Sequence, residues 1–380
     1  MRKEYLLTPG PTPVPPAALE AMARPIIHHR TSGYQKIFQE VTELLKHVFK
    51  TKNDILTFTS SGTGAMEAAV VNIMSSGDKA LVVRGGKFGE RFAEICQAYG
   101  IETENIDVKW GEAVNPNLIA EILDRNEDIS SVFTTLCETS TGVVNDVEAI
   151  AKIVKRHKAV LVVDAISGLA GDNLETDRWG VDIVVSASQK GLMIPPGLAF
   201  VSVSKKAWEK IEKSTLPRYY FDFSRTKKSL EKSNSPFTPA ISLMIALRQV
   251  LNLIRQQGID KVLANNKRLA RGVRAAVKSL GLELLAPGSP ADTVTAVKVP
   301  EGVDGLALVK ILREKHGITI AGGQASLKGK IFRIAHLGYI TEFDLITGIS
   351  GLEMVLGELG YRFKLGAGVV AAEEVFSETP

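Results

Sequence analysis

Between residues 54 and 203 the chain alternates short, β-branched apolar runs with longer stretches of helical periodicity, and few folds satisfy that alternation. The apolar runs lie at 54–58, 80–83, 131–135, 160–163, 182–185 and 198–203; helical stretches at 63–74, 88–99, 117–124 and 147–157 separate most of them. Strands apolar on both faces must be covered on both, and strands joined through helices run parallel. The pattern therefore predicts an α/β unit with a mostly parallel sheet between two helical layers. The last two runs are joined by a short loop that leaves no room for a crossover, so that pair is expected to be antiparallel.

Beyond this unit the pattern changes. Residues 206–240 are polar and proline-interrupted, with weak periodicity. A helix is expected over 241–257, stopped by Gly258. After it come a helix at 262–280, strands near 294–299 and 331–335, and helices at 306–315 and 342–359, which read as a smaller α+β domain. The tail, 367–380, shows no core pattern. At the other end, Thr8-Pro-Gly-Pro-Thr-Pro-Val-Pro-Pro16 can be neither helix nor central strand and is expected to run extended over a surface. The expected organisation is an N-terminal segment, 1–20, joining the small domain; a large domain, 21–257; and the small C-terminal domain, 258–380.

A length of 380 residues suits two domains, and 45% hydrophobic with 23% charged residues is ordinary globular composition. Net charge is +4, and acids interrupt the basic runs at 205–213 and 225–232, so no nucleic-acid surface is expected. Cys96 and Cys137 are the only cysteines and lack metal-site spacing; no metal is expected, and so few thiols favour a reducing, cytoplasmic setting. The N-terminus lacks the apolar core of a signal peptide, and no apolar run approaches the ~20 residues of a membrane helix.

Ligands in open α/β sheets bind at the carboxyl ends of the strands. After the first run comes Thr59-Ser-Ser-Gly-Thr-Gly-Ala65, small residues leading into a helix: an anion cradle, or an ordinary glycine-rich turn. Asp164 closes the run at 160–163, either as a turn cap or as a charge facing a ligand. Lys190 sits in Ser186-Ala-Ser-Gln-Lys190-Gly191, between two buried strands, where the plain alternative is a lysine paired with an acid. Together a desolvated lysine, a carboxylate and a phosphate cradle suit pyridoxal 5′-phosphate (PLP), whose aldehyde, ring nitrogen and phosphate they match in turn.

Asp164-Ala-Ile-Ser, with Lys190 following 26 residues after the aspartate (190 − 164), resembles the class V aminotransferases, PLP enzymes of fold type I. Thr8-Pro-Gly-Pro, Ser61-Gly-Thr-Gly, Glu138-Thr-Ser-Thr-Gly142, Pro195-Pro-Gly197 and Lys330-Ile-Phe-Arg-Ile334 stand in the family's order. Within the class, the similarity leans to the alanine–glyoxylate and serine–pyruvate enzymes and reaches to about residue 362. The resemblance implies that Lys190 is the Schiff-base lysine and moves the substrate proton, and that Asp164 pairs with the ring nitrogen. Thr63, Gly64 and Ala65 would bind phosphate, helped by Gln189; Phe88 and Ile166 would flank the ring. Arg333 would grip the substrate carboxylate, with Ser140 and Gly10 beside it. Thr238 would reach a partner's phosphate, implying a homodimer with active sites at the interface. The substrates implied are a small amino acid, alanine or serine, and a 2-oxo acid, glyoxylate or pyruvate.

Two departures stand out: alanine at position 65, where some relatives carry a stacking histidine, and Ser235, where some carry a phosphate-binding tyrosine. His28, His29 and Arg30 line the partner's substrate entrance or simply cap a loop, and Arg30 or Arg218 are the arginines open to a distal carboxylate. Competing readings are a cysteine-desulfurase-like lyase, which needs a nucleophilic cysteine absent after Cys137, and a non-catalytic partner subunit retaining the fold.

Overall fold

The computed structural model describes residues 3–378, so the outermost positions of the N-terminal segment and of the tail, 1–2 and 379–380, lie outside the described residues. Seven strands make the main sheet, in the order Asp54–Phe58, Ala199–Val203, Ile183–Ala187, Val160–Asp164, Ile129–Thr135, Lys79–Arg84 and Glu102–Asp107. Ala199–Val203 runs antiparallel to both neighbours, with Ala199 opposite Ala187 and Val203 opposite Ile183; the remaining adjacent pairs are parallel.

Alternate residues of each central strand enter different cores. Leu161 and Val163 face one core with Ile55, Val132 and Phe200; Val160 and Val162 face the other with Leu56, Phe133 and Val201. The helix Ser32–Phe49 covers the first face, burying Tyr34, Ile37, Phe38, Val41, Leu44, Leu45 and Val48, while Gly62–Ile73 lies in the second. The seventh strand, Glu102–Asp107, was not visible as an apolar run because it is a charged edge, with Ile106 its one buried residue.

A second sheet pairs Ile331–Ala335 with Val294–Lys298 and with Ala321–Gly322, antiparallel on both sides. Tyr5–Leu6 runs parallel to Ile318–Thr319, and Leu7 is buried in the core that Leu269, Val273, Phe332 and Leu352 form around this sheet. Residues 206–240 hold two short helices, Lys205–Ile211 and Phe223–Leu230, each started by a side-chain cap, from Ser204 and Asp222. The helix over 241–257 appears as Ile241–Gln257 and stops at Gly258, whose φ is +88°.

Two expectations are corrected. The proline-rich segment is extended but does not run over a surface: Pro9 and Thr12 are buried, and the Thr12 N–H donates to the Gln189 carbonyl at 3.1 Å. Poor in donors, the segment can be buried cheaply; Thr12 gives its N–H and hydroxyl to the lysine loop, and the Thr8 hydroxyl turns back to the Pro11 carbonyl. The tail is not patternless either, because Ala367–Ser377 is a helix lying on Ile259–Ser279, where Phe376 packs over Gly272. Its fully buried positions are the small residues Gly368 and Ala372, with Val369 and Phe376 packed beside them, in a helix of only 11 residues. The buried Glu353 carboxylate accepts N–H bonds from Gly366 (2.6 Å), Gly368 (2.8 Å) and Val369 (3.2 Å) at the start of this helix. Glu353→Ala should lower stability by about 2–3 kcal/mol in urea denaturation, because it strands charge-assisted donors in the interior. The C-terminal helix should then become the first site cut in limited proteolysis.

Candidate active site

Five of the six parallel strands of the main sheet end beside the site, at Phe58, Arg84, Thr135, Asp164 and Ala187. The loops and helix starts that follow them carry Thr63, Phe88, Ser140, Ile166, and Gln189 with Lys190. Gly10 arrives on the N-terminal segment and Arg333 from the second sheet, so both cores contribute to one site.

Lys190 is 9% exposed, and its Nζ donates to the Pro9 carbonyl at 2.5 Å. No carboxylate lies within ion-pair distance of it among the described residues, which removes the plain alternative of a buried lysine–acid pair. Burial brings its pKa down from 10.5 to about 8; Cys137 and Asp164 oppose the shift, and Arg333 and Arg91 add to it. Gly10 has φ +138°, and a Cβ there would collide with the lysine's Nζ. The Thr12 hydroxyl donates to the Lys190 carbonyl at 3.0 Å, so the loop is held from the same segment.

Asp164 is 3% exposed, and the one hydrogen bond its carboxylate makes is from the Ile166 N–H, at 2.7 Å. Burial raises its pKa from 3.8 to about 7; the Ile166 N–H opposes, Glu138 adds, and Lys190 and Arg91 oppose. A cationic ring nitrogen beside it would restore the ionised form. Ile166 packs at the start of the helix Gly62–Ile73, where a Cβ on Gly62 would lie 2.6 Å from its Cδ1. The Gln189 Oε1 is buried without a partner.

At that helix start, Ser61 caps with no side-chain bond, and the Gly64 and Ala65 N–H groups turn back to the Ser61 carbonyl, at 3.0 and 3.4 Å. Thr63 and Gly62 supply the N–H groups left without an intrahelical acceptor, so the open donors lie one to two residues earlier than the motif suggests. The Ala65 side chain is fully buried in the core. Phe88 is half-buried, with its ring under the Arg91 guanidinium (4.9 Å to the centroid), and Arg91 Nη1 donates to the Thr63 hydroxyl at 3.3 Å.

Arg333 is 5% exposed and bonds only to carbonyls: Nη1 to Thr139 at 2.8 Å, and Nε and Nη2 to Gly322 at 3.1 and 2.7 Å. Burial lowers its pKa from 12.5 to about 10, with Glu138 and Cys137 opposing. A buried guanidinium held by carbonyl dipoles, with no carboxylate within ion-pair distance among the described residues, is arranged to receive one.

The structure departs from the expected arrangement at several residues. The Ser140 hydroxyl does not turn to Arg333; it donates to Glu138 at 2.5 Å and accepts the Lys87 N–H at 3.0 Å. Thr139 is the residue beside Arg333, and its hydroxyl pairs with Ser167. Glu138, 1% exposed, also accepts the N–H groups of Phe88 (3.1 Å) and Gly89 (2.9 Å), capping the helix Lys87–Ala98 from another element. Arg91 went unnoticed although its place three residues after Phe88 puts both on one helix face. Arg218 is committed to the Val71 and Leu216 carbonyls (both 3.2 Å) and the Ser214 hydroxyl (2.8 Å), which withdraws it as a distal-carboxylate group. His28 accepts the Arg30 N–H at 3.2 Å on an exposed loop. Thr238 is exposed, next to Ser235, whose hydroxyl donates to the Phe237 carbonyl at 2.7 Å.

An uncompensated buried amine, a buried carboxylate at the end of a neighbouring strand, and a small-residue helix start are the parts of a PLP-dependent enzyme of fold type I. The chain belongs to the class V aminotransferases, whose family model matches residues 4–339. It is 45% identical over 382 residues to the soluble hydrogenase 42 kDa subunit of Anabaena cylindrica, covering 99% of both chains. It is 39% identical to the serine–glyoxylate aminotransferase of Hyphomicrobium methylovorum, over 98% of this chain and 95% of that one. Its fold matches the crystal structure of a ureidoglycine–glyoxylate aminotransferase from Bacillus subtilis with a TM-score of 0.95, at 26% identity, over 100% of this chain and 99% of the other.

Only a neutral amine attacks an aldehyde. Covalent capture of PLP by the apoprotein, trapped with borohydride, should therefore rise with pH around a midpoint of about 8, against 10.5 for an ordinary lysine. Lys190→Ala should abolish the trapped adduct at every pH.

Proposed function

We propose that this chain moves the amino group of a small amino acid, alanine or serine, to glyoxylate or pyruvate. The observation that carries the reading is Arg333: a buried fork without a carboxylate of its own, electrostatically coupled to the Lys190 amine. Arg333 holds the substrate's α-carboxylate and so fixes which face of Cα meets the lysine. Lys190, freed of its own proton, is the base that takes the proton from Cα. Bound PLP would supply the electron sink that no side chain provides. Asp164 would keep its ring nitrogen charged, Phe88 and Ile166 would flank the ring, and Thr63 and Gln189 would attend the phosphate. Gly10 leaves the volume that the lysine side chain fills.

Small donors follow from the arginines. Arg218 is spent on carbonyls and a hydroxyl, and Arg30 lies on an exposed loop, so neither is built into the site as a second carboxylate grip. A serine–glyoxylate aminotransferase among the relatives fits this choice. The exposure of Thr238, with Tyr219 at 68% and Tyr220 at 40% nearby, supports a homodimer in which Thr238 completes the partner's site. Two buried free thiols fit a reducing, cytoplasmic setting. No helix among the described residues is long and apolar enough to cross a membrane. The division into 1–20, 21–257 and 258–380 is supported by the first segment, which pairs with Ile318–Thr319 and buries Leu7 in the second core.

A desulfurase-like lyase is disfavoured because burial pushes the Cys96 thiol up to about 12 and holds that of Cys137 well above its ordinary value. A non-catalytic partner role, suggested by the hydrogenase name of one relative, has no supporting metal cluster among the described residues.

The test is the visible spectrum of the PLP-loaded protein with alanine, serine, aspartate or cysteine added singly. Conversion to the pyridoxamine form with alanine or serine is expected; sulfide release from cysteine, or no change with any donor, refutes the proposal. Arg333→Lys keeps the charge but not the fork, and should cut kcat/KM for alanine about 100-fold while leaving PLP affinity unchanged.

A further inference from the structure

We infer that Arg91 is the cation of the cofactor-phosphate site, acting on the phosphate together with the Thr63 hydroxyl. The inference rests on the PLP reading and assigns a contact that the 59–65 motif does not contain. Among the described residues, Arg91 is the one cation hydrogen-bonded to that turn, through Nη1 to Thr63 Oγ1 at 3.3 Å. Its guanidinium lies 4.9 Å from the centroid of the Phe88 ring, so it spans the side chain expected on the ring and the hydroxyl expected on the phosphate.

Nearby acids do not neutralise it. Glu90 and Glu94, on its own helix, pair with Lys87, and Glu67 accepts from the Tyr99 hydroxyl at 2.6 Å. Arg91 itself has no carboxylate within ion-pair distance among the described residues. Arg91 is half-buried, and its positive charge is felt at both Asp164 and Lys190. A phosphate dianion at a helix start with few open N–H groups needs further positive charge, and a half-buried guanidinium can give two parallel bonds to it. The alternatives are that Arg91 only seats the Phe88 ring, or that it receives a substrate's distal carboxylate.

Pyridoxal, which lacks the phosphate, separates these. Dissociation constants of PLP and of pyridoxal would be read from the visible band of the reconstituted full-length protein, for wild type, Arg91→Gln and Arg91→Lys. The inference expects Arg91→Gln to weaken PLP about 30-fold and pyridoxal less than about 3-fold, with Arg91→Lys in between. Equal weakening of both ligands would show that Arg91 serves the ring alone and would overturn it. So would unchanged PLP affinity with a raised KM for aspartate. A measurement on wild type guards against a variant that misfolds: inorganic phosphate should protect Arg91 of the apoprotein from phenylglyoxal, identified by peptide mapping, and lack of protection counts against the inference. A wild-type protein that takes up neither PLP nor pyridoxal would instead refute the cofactor reading itself.

Discussion

Keeping a lysine amine in the interior without a carboxylate is the constraint that the surrounding structure satisfies. Left to itself, such an amine would draw in water or an acid, and either would end its use as a nucleophile. Here the walls are supplied by backbone. The Pro9 carbonyl takes the amine's hydrogen bond, Thr12 ties the lysine loop from the same segment, and Gly10 leaves the volume the side chain fills. That segment is in turn anchored by Tyr5–Leu6 on Ile318–Thr319 and by Leu7 in the second core. The N-terminal residues thus bind the second sheet to the lysine of the first.

Charge in the site is laid out by the same logic of separation. Lys190, Arg333 and Arg91 are basic and Asp164 and Glu138 acidic, yet no two opposite members lie within ion-pair distance of each other among the described residues. Each is held by neutral dipoles: Arg333 by carbonyls, Asp164 and Glu138 by N–H groups. Glu138 joins two parts of the site, since its carboxylate anchors the backbone of Phe88 while the next residue, Thr139, offers its carbonyl to Arg333. Charges kept apart in this way stay available to a bound cofactor and substrate.

Much of this was legible because it rests on local pattern. The strands 54–58, 131–135 and 160–163 were visible from doubly apolar runs, the antiparallel pair from a short loop, and the end of the helix at Gly258 from the residue type. Elements that broke the pattern were missed for physical reasons. Glu102–Asp107 is a polar edge strand, and Ala367–Ser377 is a short helix whose fully buried positions are Gly368 and Ala372, so neither presents a long apolar pattern. In the site, Lys190, Asp164 and Arg333 stood out because each charge sits in an apolar or small-residue context. Arg91 sits in an ordinary amphipathic helix among other charges, and nothing local marks it. Ser140 and Thr139 are adjacent hydroxyl residues, and it is the backbone carbonyl of Thr139 that meets Arg333, which no residue type marks.

By itself the amino-acid sequence determined the kind of sheet, the cofactor and the charged residues that stand out as candidates for its site, since these follow from hydrophobic period, residue chemistry and motif order. The tertiary structure alone decided who touches whom. It put the Pro9 carbonyl, 181 positions away in the chain, on the Lys190 amine, and turned the Arg333 fork onto Thr139, 194 positions distant. Such pairings depend on how two cores meet, and no local preference of either segment encodes that meeting.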